Sequence, residues 1–369
     1  MRIGVMLRHY DQHGGGVKVY THNLLREMLA LDTPHEFVLL YSDHKFIGTH
    51  TDGKRVHEIA IKAPSIFLWD QLAVRWAEKK EKLDLIFNPK YSLPLTTKCK
   101  TVYVCHGLNW AVLRLPKPWT DHISHRFLIP RYAKKADAII AVSETTRQNL
   151  IEYLNIPASR IHTVYHGVNE AFKKPIRPED LDRTRRKYKL PDRFFLYIGQ
   201  IYPPKNFGRL LKAYAQVGPK LGIALVVVGE QRWFYQKELA LIDRLGISSW
   251  VISPGWINHE NLPSIYALSK ALILPSLYES FGLPLLEAMA VGTPVVTANR
   301  YGTKEMADGA GILVDPESID SIAAGMRKTI LDQNLRKNLV EAGRKRVSNF
   351  SWKNCAVETL RVLESTMMI

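Results

Sequence analysis

Two glutamates separated by a short apolar stretch are the residues of this chain whose type and spacing most clearly predict chemistry. Glu279 and Glu287 lie in the run Pro275–Ala290, which follows the apolar residues Ala271–Leu274. If this run forms a helix, the Glu287 side chain leans back toward the helix start. Its two oxygens would then suit two neighbouring hydroxyls, such as those of a ribose. The alternative is that Glu279 caps the helix or pairs with a lysine, and that Glu287 is a solvated surface residue.

The residues between the two glutamates predict a helix start that can hold a diphosphate. Gly282 permits a close backbone approach, and Pro284 suits a first helical turn. Free backbone N–H groups and the positive dipole end of the helix favour an anion without the help of a metal ion. Glu279 would then contact whatever is attached beyond the phosphates. The candidate ligand-binding residues of this segment are Ser280, Phe281, Gly282 and Leu283.

Short Val/Ile/Leu runs that alternate with helical patterns are the elements that must position these residues, and they predict βαβ units with parallel sheets. The predicted strands of the first half are Arg2–Leu7, Glu36–Tyr41, Leu85–Phe87, Thr101–Val104, Ala138–Val142 and Ile161–Val164. Those of the second half are Phe194–Ile198, Ala224–Val228, Val251–Ser253, Ala271–Leu274, Pro294–Thr297 and Gly311–Val314. A polar, proline-containing stretch separates the two sets. It is typical of a linker followed by a helix, and it predicts domains at 1–172 and 191–350 with a linker at 173–190. A terminal helix is predicted at 351–369.

Composition indicates a globular protein of two domains. The 369 residues are 46% hydrophobic and 23% charged, which excludes a disordered chain. No apolar run approaches the ~18 residues of a membrane-spanning helix, and Met1–Leu7 resembles a buried strand rather than a signal peptide. The three cysteines have no metal-ligand spacing, so we expect reduced thiols and a cytoplasmic location.

The positive charge of the chain is concentrated in its first half. The net charge is +16, with 31 Lys and Arg against 19 Asp and Glu in residues 1–190, and 20 against 16 in residues 191–369. Such a field attracts an anionic membrane leaflet, a lipid-pyrophosphate acceptor or nucleic acid, although a merely solvated basic surface is an alternative. We expect no nucleic-acid partner, because the chain has no zinc, RNP or helix-turn-helix signature.

The glutamate pair and its surroundings resemble the donor-binding domain of the retaining glycosyltransferase family 4. The segments that carry the resemblance are Gly255–Ile257, Leu262–Pro263, Tyr266, Pro275–Ala290, Gly292–Val296, Glu305 and Leu313–Pro316. The resemblance implies the α/β fold called GT-B, with two Rossmann-like domains whose parallel sheets face each other across a cleft. It also implies retaining transfer of a hexose from a UDP- or GDP-sugar to a glycan or lipid-linked glycan, in polysaccharide or glycoconjugate synthesis. No metal cofactor is expected.

The resemblance assigns roles to individual residues. It implies that Glu287 binds the donor ribose, that Glu279 contacts the donor sugar, and that Lys205 binds the phosphate and, with Glu279 and His106, serves catalysis. The further donor-binding candidates are Gly15, Gly16, Gln200 and Trp256. Many relatives have an arginine near position 200 or 204, and an acidic residue after the histidine. This chain has Gln200, Pro204 and Gly107 there, so its cationic clamp and its sugar preference can differ. Without the resemblance, the glycine run is also interpretable as a flexible turn, His106 as a structural histidine and Lys205 as a solvated one.

An aromatic segment of the first half has two interpretations. The apolar residues of the stretch 66–76 precede a lysine-rich run at 79–82. This pattern is typical of an amphipathic helix at an anionic membrane surface, as at the inner face of the plasma membrane. It is equally typical of a helix that packs its aromatic side on a sheet. The alternative functions that remain open are a non-catalytic nucleotide-sugar-binding protein on the same scaffold and an epimerase.

Overall fold

The chain folds into two compact α/β units. The computed structural model describes residues 1–11, 15–50, 55–113, 124–229, 235–255 and 257–368. One unit comprises Met1–Gly167 and Ser351–Ile369, and the other comprises Val168–Phe350. The last helix of the chain is therefore part of the first unit.

The first unit has a sheet of seven parallel strands in the order β3-β2-β1-β4-β5-β6-β7. These strands are β1 (Arg2–Met6), β2 (Glu36–Tyr41), β3 (Val56–Ala60), β4 (Leu85–Asn88), β5 (Lys100–Cys105), β6 (Ala138–Ala141) and β7 (Ile161–Thr163). Its helices are α1 (Gly16–Ala30), α2 (Ile66–Leu68), α3 (Val74–Lys80), α4 (Asn109–Val112), α5 (Ile129–Lys135), α6 (Glu144–Leu154) and α15 (Trp352–Met368). Wider π-type turns are formed by Trp69–Ala73 and Ser124–Leu128.

The second unit has a sheet of six parallel strands in the order β10-β9-β8-β11-β12-β13. These strands are β8 (Phe194–Ile198), β9 (Ala224–Val228), β10 (Val251–Ile252), β11 (Ala271–Leu274), β12 (Val295–Ala298) and β13 (Ile312–Val314). Its helices are α7 (Pro178–Lys187), α8 (Phe207–Val217), α9 (Tyr235–Arg244), α10 (Leu262–Leu268), α11 (Leu283–Val291), α12 (Tyr301–Ala307), α13 (Ile319–Leu331) and α14 (Gln333–Val347). Short 3-10 turns occur in both units. Those of the first unit are Arg8–Asp11, His44–Phe46 and Ala158–Arg160, and those of the second are Glu170–Phe172, Pro203–Lys205, Pro219–Leu221, Ser248–Trp250 and His259–Asn261.

The central strands are fully buried because both faces of each sheet are covered, which is why their sequences are nearly continuous apolar runs. In each sheet the strand order reverses at one point, between β1 and β4 in the first and between β8 and β11 in the second. Parallel sheets place ligand sites at the carboxyl ends of the strands on either side of such a point. These two places are therefore where binding residues are expected.

One strand differs from the sequence prediction. Strand β3 was not predicted, because its segment is polar and only partly buried at the sheet edge. Within the stretch 173–190, the ten-residue helix α7 follows the linker, as the sequence predicts, and packs against α10 of the second unit. Among the described residues, no helix combines the length and the apolar character that crossing a bilayer requires.

Candidate active site

The site is built where the strand order of the second sheet reverses. Strands β8 and β11 are hydrogen-bonded neighbours, so the loops that follow them leave the sheet side by side. Lys205 lies in the first loop and Glu279 in the second. The two loops are joined directly, because the Leu277 backbone N–H donates to the carbonyl oxygen of Pro204 at 2.8 Å.

Lys205 and Glu279 form an ion pair at this point, which is the lysine pairing that the alternative interpretation of Glu279 expected. The Lys205 ammonium donates to Oε1 of Glu279, and the two side chains are only 14% and 13% exposed. The same oxygen accepts a hydrogen bond from the Ser276 hydroxyl at 2.8 Å. In the free protein each charge therefore satisfies the other. A bound anion and a hydroxyl-rich ligand would have to take over these contacts.

Electrostatics keeps Lys205 charged at this site. Burial lowers the pKa of the ammonium, but the charge of Glu279 and the hydrogen bond to it, with a contribution from Tyr202, outweigh that effect and raise the pKa above its usual value. A permanently cationic group at a strand end suits an anionic ligand. The partly buried position strengthens its interaction with such a ligand.

Asn206 holds the loops around the ion pair together. This residue is 6% exposed and has a left-handed backbone conformation with φ of 59°. Its side-chain amide donates to the carbonyl oxygens of Pro275, at 2.9 Å, and Pro316, at 2.6 Å. It thereby ties the loop after β8 to the loops after β11 and β13. A buried amide with these partners fixes the position of the loop that carries Lys205.

The backbone of Glu279 and Ser280 is supported by the start of α12. The Gly302 N–H donates to the Glu279 carbonyl oxygen at 3.0 Å. A Cβ on Gly302 would lie 2.5 Å from the Ser280 carbonyl oxygen, so only glycine allows this approach. The preceding residue, Tyr301, has a φ of 50°, a conformation that is strained for a bulky residue. The loop that carries Glu279 is thus held in place by a strained helix start.

Helix α11 begins after Phe281 and Gly282, as predicted. Gly282 precedes it with a φ of 100°, no side chain caps the first turn, and Pro284 is among its first residues. Leu283 is the first helical residue. The Phe281 side chain is buried and packs edge-on against Phe350, with 6.0 Å between ring centroids. Any contact of Phe281 with a ligand would therefore be made by its backbone.

Glu287 occupies α11 one turn further on and has its own partner. The Tyr266 hydroxyl donates to Oε2 of Glu287 at 2.7 Å, and Tyr266 itself is fully buried. Burial raises the pKa of the Glu287 carboxyl to about 7, although the hydrogen bond from Tyr266 lowers it. The carboxylate is oriented by one hydrogen bond, and its other oxygen remains able to accept from a ligand.

Gln200 and Trp256 are the other predicted residues of the second unit. Gln200 follows β8, and its carbonyl oxygen accepts from the Tyr197 hydroxyl at 3.1 Å. Trp256 lies outside the described residues. The structure therefore joins Lys205 and Glu279 directly and places Glu287 on the adjoining helix.

The remaining predicted residues lie in the first unit. Gly15, with a φ of 94°, caps α1 without a side chain, and Gly16 is the first residue of that helix. His106 follows β5, and its Nε2–H donates to the carbonyl oxygen of Pro89 at 2.7 Å. Burial lowers the pKa of His106 to about 4, so the ring is neutral near pH 7. It can act there as a hydrogen-bonding group but not as a cation.

Two family descriptions match the chain. Residues 179–346 match "Glycosyl transferases group 1", and residues 14–172 match "Glycosyltransferase Family 4". The O-antigen chain mannosyltransferase B of Escherichia coli is 33% identical over 280 residues, which cover 70% of this chain and 73% of that relative. The chain belongs to glycosyltransferase family 4. The resemblance predicted from the paired glutamates is thereby confirmed.

Other relatives of this glycosyltransferase agree with the assignment. The serotype-specific mannosyltransferase WbdA of Escherichia coli is 31% identical over 267 residues, which cover 70% of this chain but only 32% of WbdA. The crystal structure of Anabaena HepE in complex with UDP-glucose superposes with a TM-score of 0.78 at 20% identity, over 99% of this chain and 100% of that one. Together with the two parallel sheets, this likeness shows that the transferase has the GT-B fold, as predicted.

Three residues that support the site of this transferase were not singled out in the sequence. Ser276, Asn206 and Gly302 each contact a predicted residue or its loop. A partial signal existed for Asn206, because an asparagine directly after a candidate lysine at a helix start is a typical left-handed or capping residue.

Within the ranges that the structure describes, no group of three or more His, Cys, Asp or Glu side chains could hold a metal ion.

Proposed function

We propose that this glycosyltransferase transfers a mannosyl residue from a nucleotide-activated mannose to an acceptor glycan or lipid-linked glycan, with retention of the anomeric configuration. The choice of mannose is supported by relatives that are named mannosyltransferases, and the acceptor class by the O-antigen chain in the name of one of them. We propose GDP-mannose as the donor. UDP-sugars are the alternative, because the similar HepE structure contains UDP-glucose.

The observation that carries the proposal is the ion pair of Lys205 and Glu279 beside the uncapped start of α11. On donor binding, Lys205 turns from Glu279 to the diphosphate, and the carboxylate accepts hydrogen bonds from the sugar hydroxyls. The bond between the anomeric carbon and the phosphate oxygen then breaks, and the negative charge that develops on the diphosphate is stabilised by the ammonium and the helix N–H groups. Neither contact requires a metal ion, and we propose metal-independent transfer.

We propose that the anomeric configuration is retained because the acceptor attacks the face of the sugar from which the phosphate leaves. The acceptor hydroxyl oxygen forms the new bond to the anomeric carbon, and its proton passes to the departing diphosphate oxygen. Glu287 holds the ribose through the carboxylate oxygen opposite the one that Tyr266 occupies. His106, neutral at physiological pH, would serve as a hydrogen-bonding group toward the sugar.

Donor specificity and stereochemistry are tested together. The purified chain is screened by thermal shift against GDP-mannose, UDP-glucose and ADP-glucose, because a specific donor raises the melting temperature by mass action. Transfer to a mannoside acceptor is then followed by NMR, which reports the anomeric configuration of the product, with and without EDTA. An inverted product, or activity lost with EDTA and restored by a divalent cation, would contradict the corresponding part of the proposal.

The site itself is tested by three variants and a control. Glu287→Ala should mainly weaken donor binding, whereas Lys205→Ala and Glu279→Ala should lower turnover. Lys345→Ala, an exposed lysine on α14, is the matched control and should leave both unchanged. Unchanged transfer in all three site variants would refute this site. A protein that binds donor but neither transfers nor slowly hydrolyses it would be the non-catalytic alternative.

We further propose that the enzyme acts in the cytoplasm and reaches lipid-carried acceptors at an anionic membrane surface. The three cysteines are free thiols, which agrees with a reducing compartment. The charge of +12 in residues 1–190, from 31 basic and 19 acidic residues, supports attraction to anionic lipid. Fractionation of cells that express the tagged protein tests the location.

A further inference from the structure

The helical segment 66–80 of the first unit is firmly anchored on its inner side. Trp69 is 2% exposed, and Val74 and Ala77 are completely buried in the same apolar cluster as residues of β4 to β6. The Trp69 indole N–H donates to the carbonyl oxygen of Ile61 at 2.8 Å. The rotation of the segment about its axis is therefore fixed, and so is the identity of the residues that face solvent.

The outer face of this segment is apolar, although a surface helix ordinarily presents polar residues to water. Its members are Ile66, Phe67, Leu72 and Trp76, which are 62%, 47%, 63% and 51% exposed. The π-type turn Trp69–Ala73 separates the inward Trp69 from the outward Leu72. The packing interpretation of the segment is confirmed for Trp69, whereas its exposed apolar side leaves the membrane interpretation a prediction.

The charged residues at the end of the segment are sorted by sign. The two acidic residues of the run 78–82 point inward. The carboxylate of Glu78 accepts from the Thr97 hydroxyl at 2.8 Å, and that of Glu81 lies 3.2 Å from an Arg2 guanidinium nitrogen. The three basic residues are exposed, and they are Lys79, Lys80 and Lys82.

The exposed lysines continue the apolar face. Leu72 lies four residues before Trp76, and Lys79 and Lys80 lie three and four residues after it, so all three neighbour Trp76 on the helix surface. The Lys80 ammonium lies 4.7 Å from the centre of the Trp76 ring. We call this surface, from Ile66 and Phe67 through Leu72 and Trp76 to Lys79 and Lys80, the outer face.

We propose that the outer face docks on a lipid bilayer that contains anionic lipid. Its large apolar side chains enter the boundary between head groups and acyl chains, where tryptophan is favoured. The adjoining lysines contact lipid phosphates, and no outward carboxylate among residues 78–82 opposes that contact. The inference rests on the proposed function only for the role of membrane docking, which is access to a lipid-carried acceptor. Binding to lipid is measurable without donor or acceptor.

A second copy of the chain is the other occupant to consider. A symmetric dimer through this face would bring Lys79 and Lys80 of one copy toward the same lysines of the other, with no outward carboxylate of this segment to pair with them. Charge complementarity therefore favours an anionic partner. Lipid phosphate supplies that charge next to an apolar layer, as the outer face requires.

The test is flotation of the full chain with two kinds of vesicle, one of phosphatidylcholine alone and one of an equimolar mixture with phosphatidylglycerol. The wild type should float with the mixed vesicles and only weakly with the neutral ones. Leu72→Ser combined with Trp76→Ser should lower the binding constant at least about tenfold, because the inserted side chains are lost. Lys79→Gln combined with Lys80→Gln should lower binding to the mixed vesicles by about tenfold and remove most of its salt dependence.

The matched control is Leu331→Ser, since Leu331 is 65% exposed on α13 of the second unit and should leave flotation unchanged. All substituted residues are exposed, so the variants should keep the melting temperature of the wild type. Failure of the wild type to float with mixed vesicles, or equal flotation of all variants, would overturn the docking surface. So would a wild-type dimer that Leu72→Ser and Trp76→Ser dissociate without any effect on lipid binding.

The outcome is separable from that of the proposed function. Donor hydrolysis and transfer to a short soluble acceptor should be equal in the wild type and the outer-face variants. If flotation fails while mannosyl transfer is found, only the docking surface falls. If flotation follows the expected pattern while no sugar is transferred, the docking surface stands and the proposed reaction falls.

Discussion

Replacing Glu287 by glutamine should stabilise the second unit increasingly as pH rises. The carboxyl group lies on α11, and burial raises its pKa from 4.5 to about 7. In the unfolded chain it ionises near the ordinary value. Between these two pH values the unfolded state releases a proton that the folded state retains, so stability of the wild type falls as pH rises. Glutamine stays neutral and still accepts the hydrogen bond from Tyr266.

The size of the effect follows from the same quantities. A difference between 4.5 and about 7 corresponds to roughly 3 kcal/mol once the group is fully ionised. The side chain keeps partial contact with solvent, so we expect about 1 to 2 kcal/mol in measurement. The glutamine variant should gain this amount over the wild type between about pH 5 and 8. Below the ordinary pKa of a glutamate both proteins are neutral at this position, and the difference should be small.

Hydrogen exchange read by mass spectrometry is the suitable assay, because peptides from β11 and β12 report the opening of the second unit specifically. Tyr266→Phe is the companion variant. It removes the hydrogen bond that lowers the Glu287 pKa, so its pH dependence should be steeper than that of the wild type. A difference between wild type and Glu287→Gln that does not change with pH would refute the reasoning. The glutamine variant should also bind donor more weakly, since it loses a charged acceptor for the ribose.

Four further outcomes are expected. Lys205→Ala should lower kcat on the order of a hundredfold with a smaller change in KM. In the Glu279→Gln background, the same lysine substitution should lower kcat by a smaller factor, which a double-mutant cycle of transfer rates would show. Asn206→Ala leaves two buried carbonyl groups without their donor and should lower the free energy of unfolding by roughly 2 to 4 kcal/mol, measured by urea denaturation. Gly302→Ala should displace the loop of the catalytic glutamate and reduce kcat more than donor affinity, which single-turnover and binding measurements separate. The NMR signal of the His106 ring should not titrate between about pH 6 and 8, and an inflection in that range would contradict its low pKa.

Strand positions were largely predictable because buried parallel strands consist of uninterrupted runs of apolar residues. The predicted limits of Glu36–Tyr41, Phe194–Ile198, Ala224–Val228 and Ala271–Leu274 coincide with the structure. The strand Val56–Ala60 was missed because it lies at the edge of the sheet, its residues are only partly buried, and His57 and Glu58 interrupt the apolar pattern. Hydrophobic periodicity carries no signal for such a segment.

The site was predictable in its residue types but not in its contacts. The motif around Glu279 and the helix start at Gly282 were both visible locally, because each depends on a few adjacent residues. The pairing of Glu279 with Lys205 joins positions 74 apart in the chain, and the hydrogen bond from Asn206 to Pro316 joins positions 110 apart. Only the strand order brings such positions together, and neither pattern nor spacing in one sequence encodes that order.

Helix α15 has a consequence for biosynthesis. It packs against α1 and the strands β4 to β6 of the first unit, and the Trp352 ring lies against Tyr20 and His166. During synthesis on a ribosome, the first unit therefore cannot be completed before this last helix is made. The groove that receives the helix stays open while the whole second unit is made and can already fold. Nascent chains stalled before residue 352 should accordingly engage chaperones through the first half. Truncations in the last helix should harm the part of the protein that was translated first.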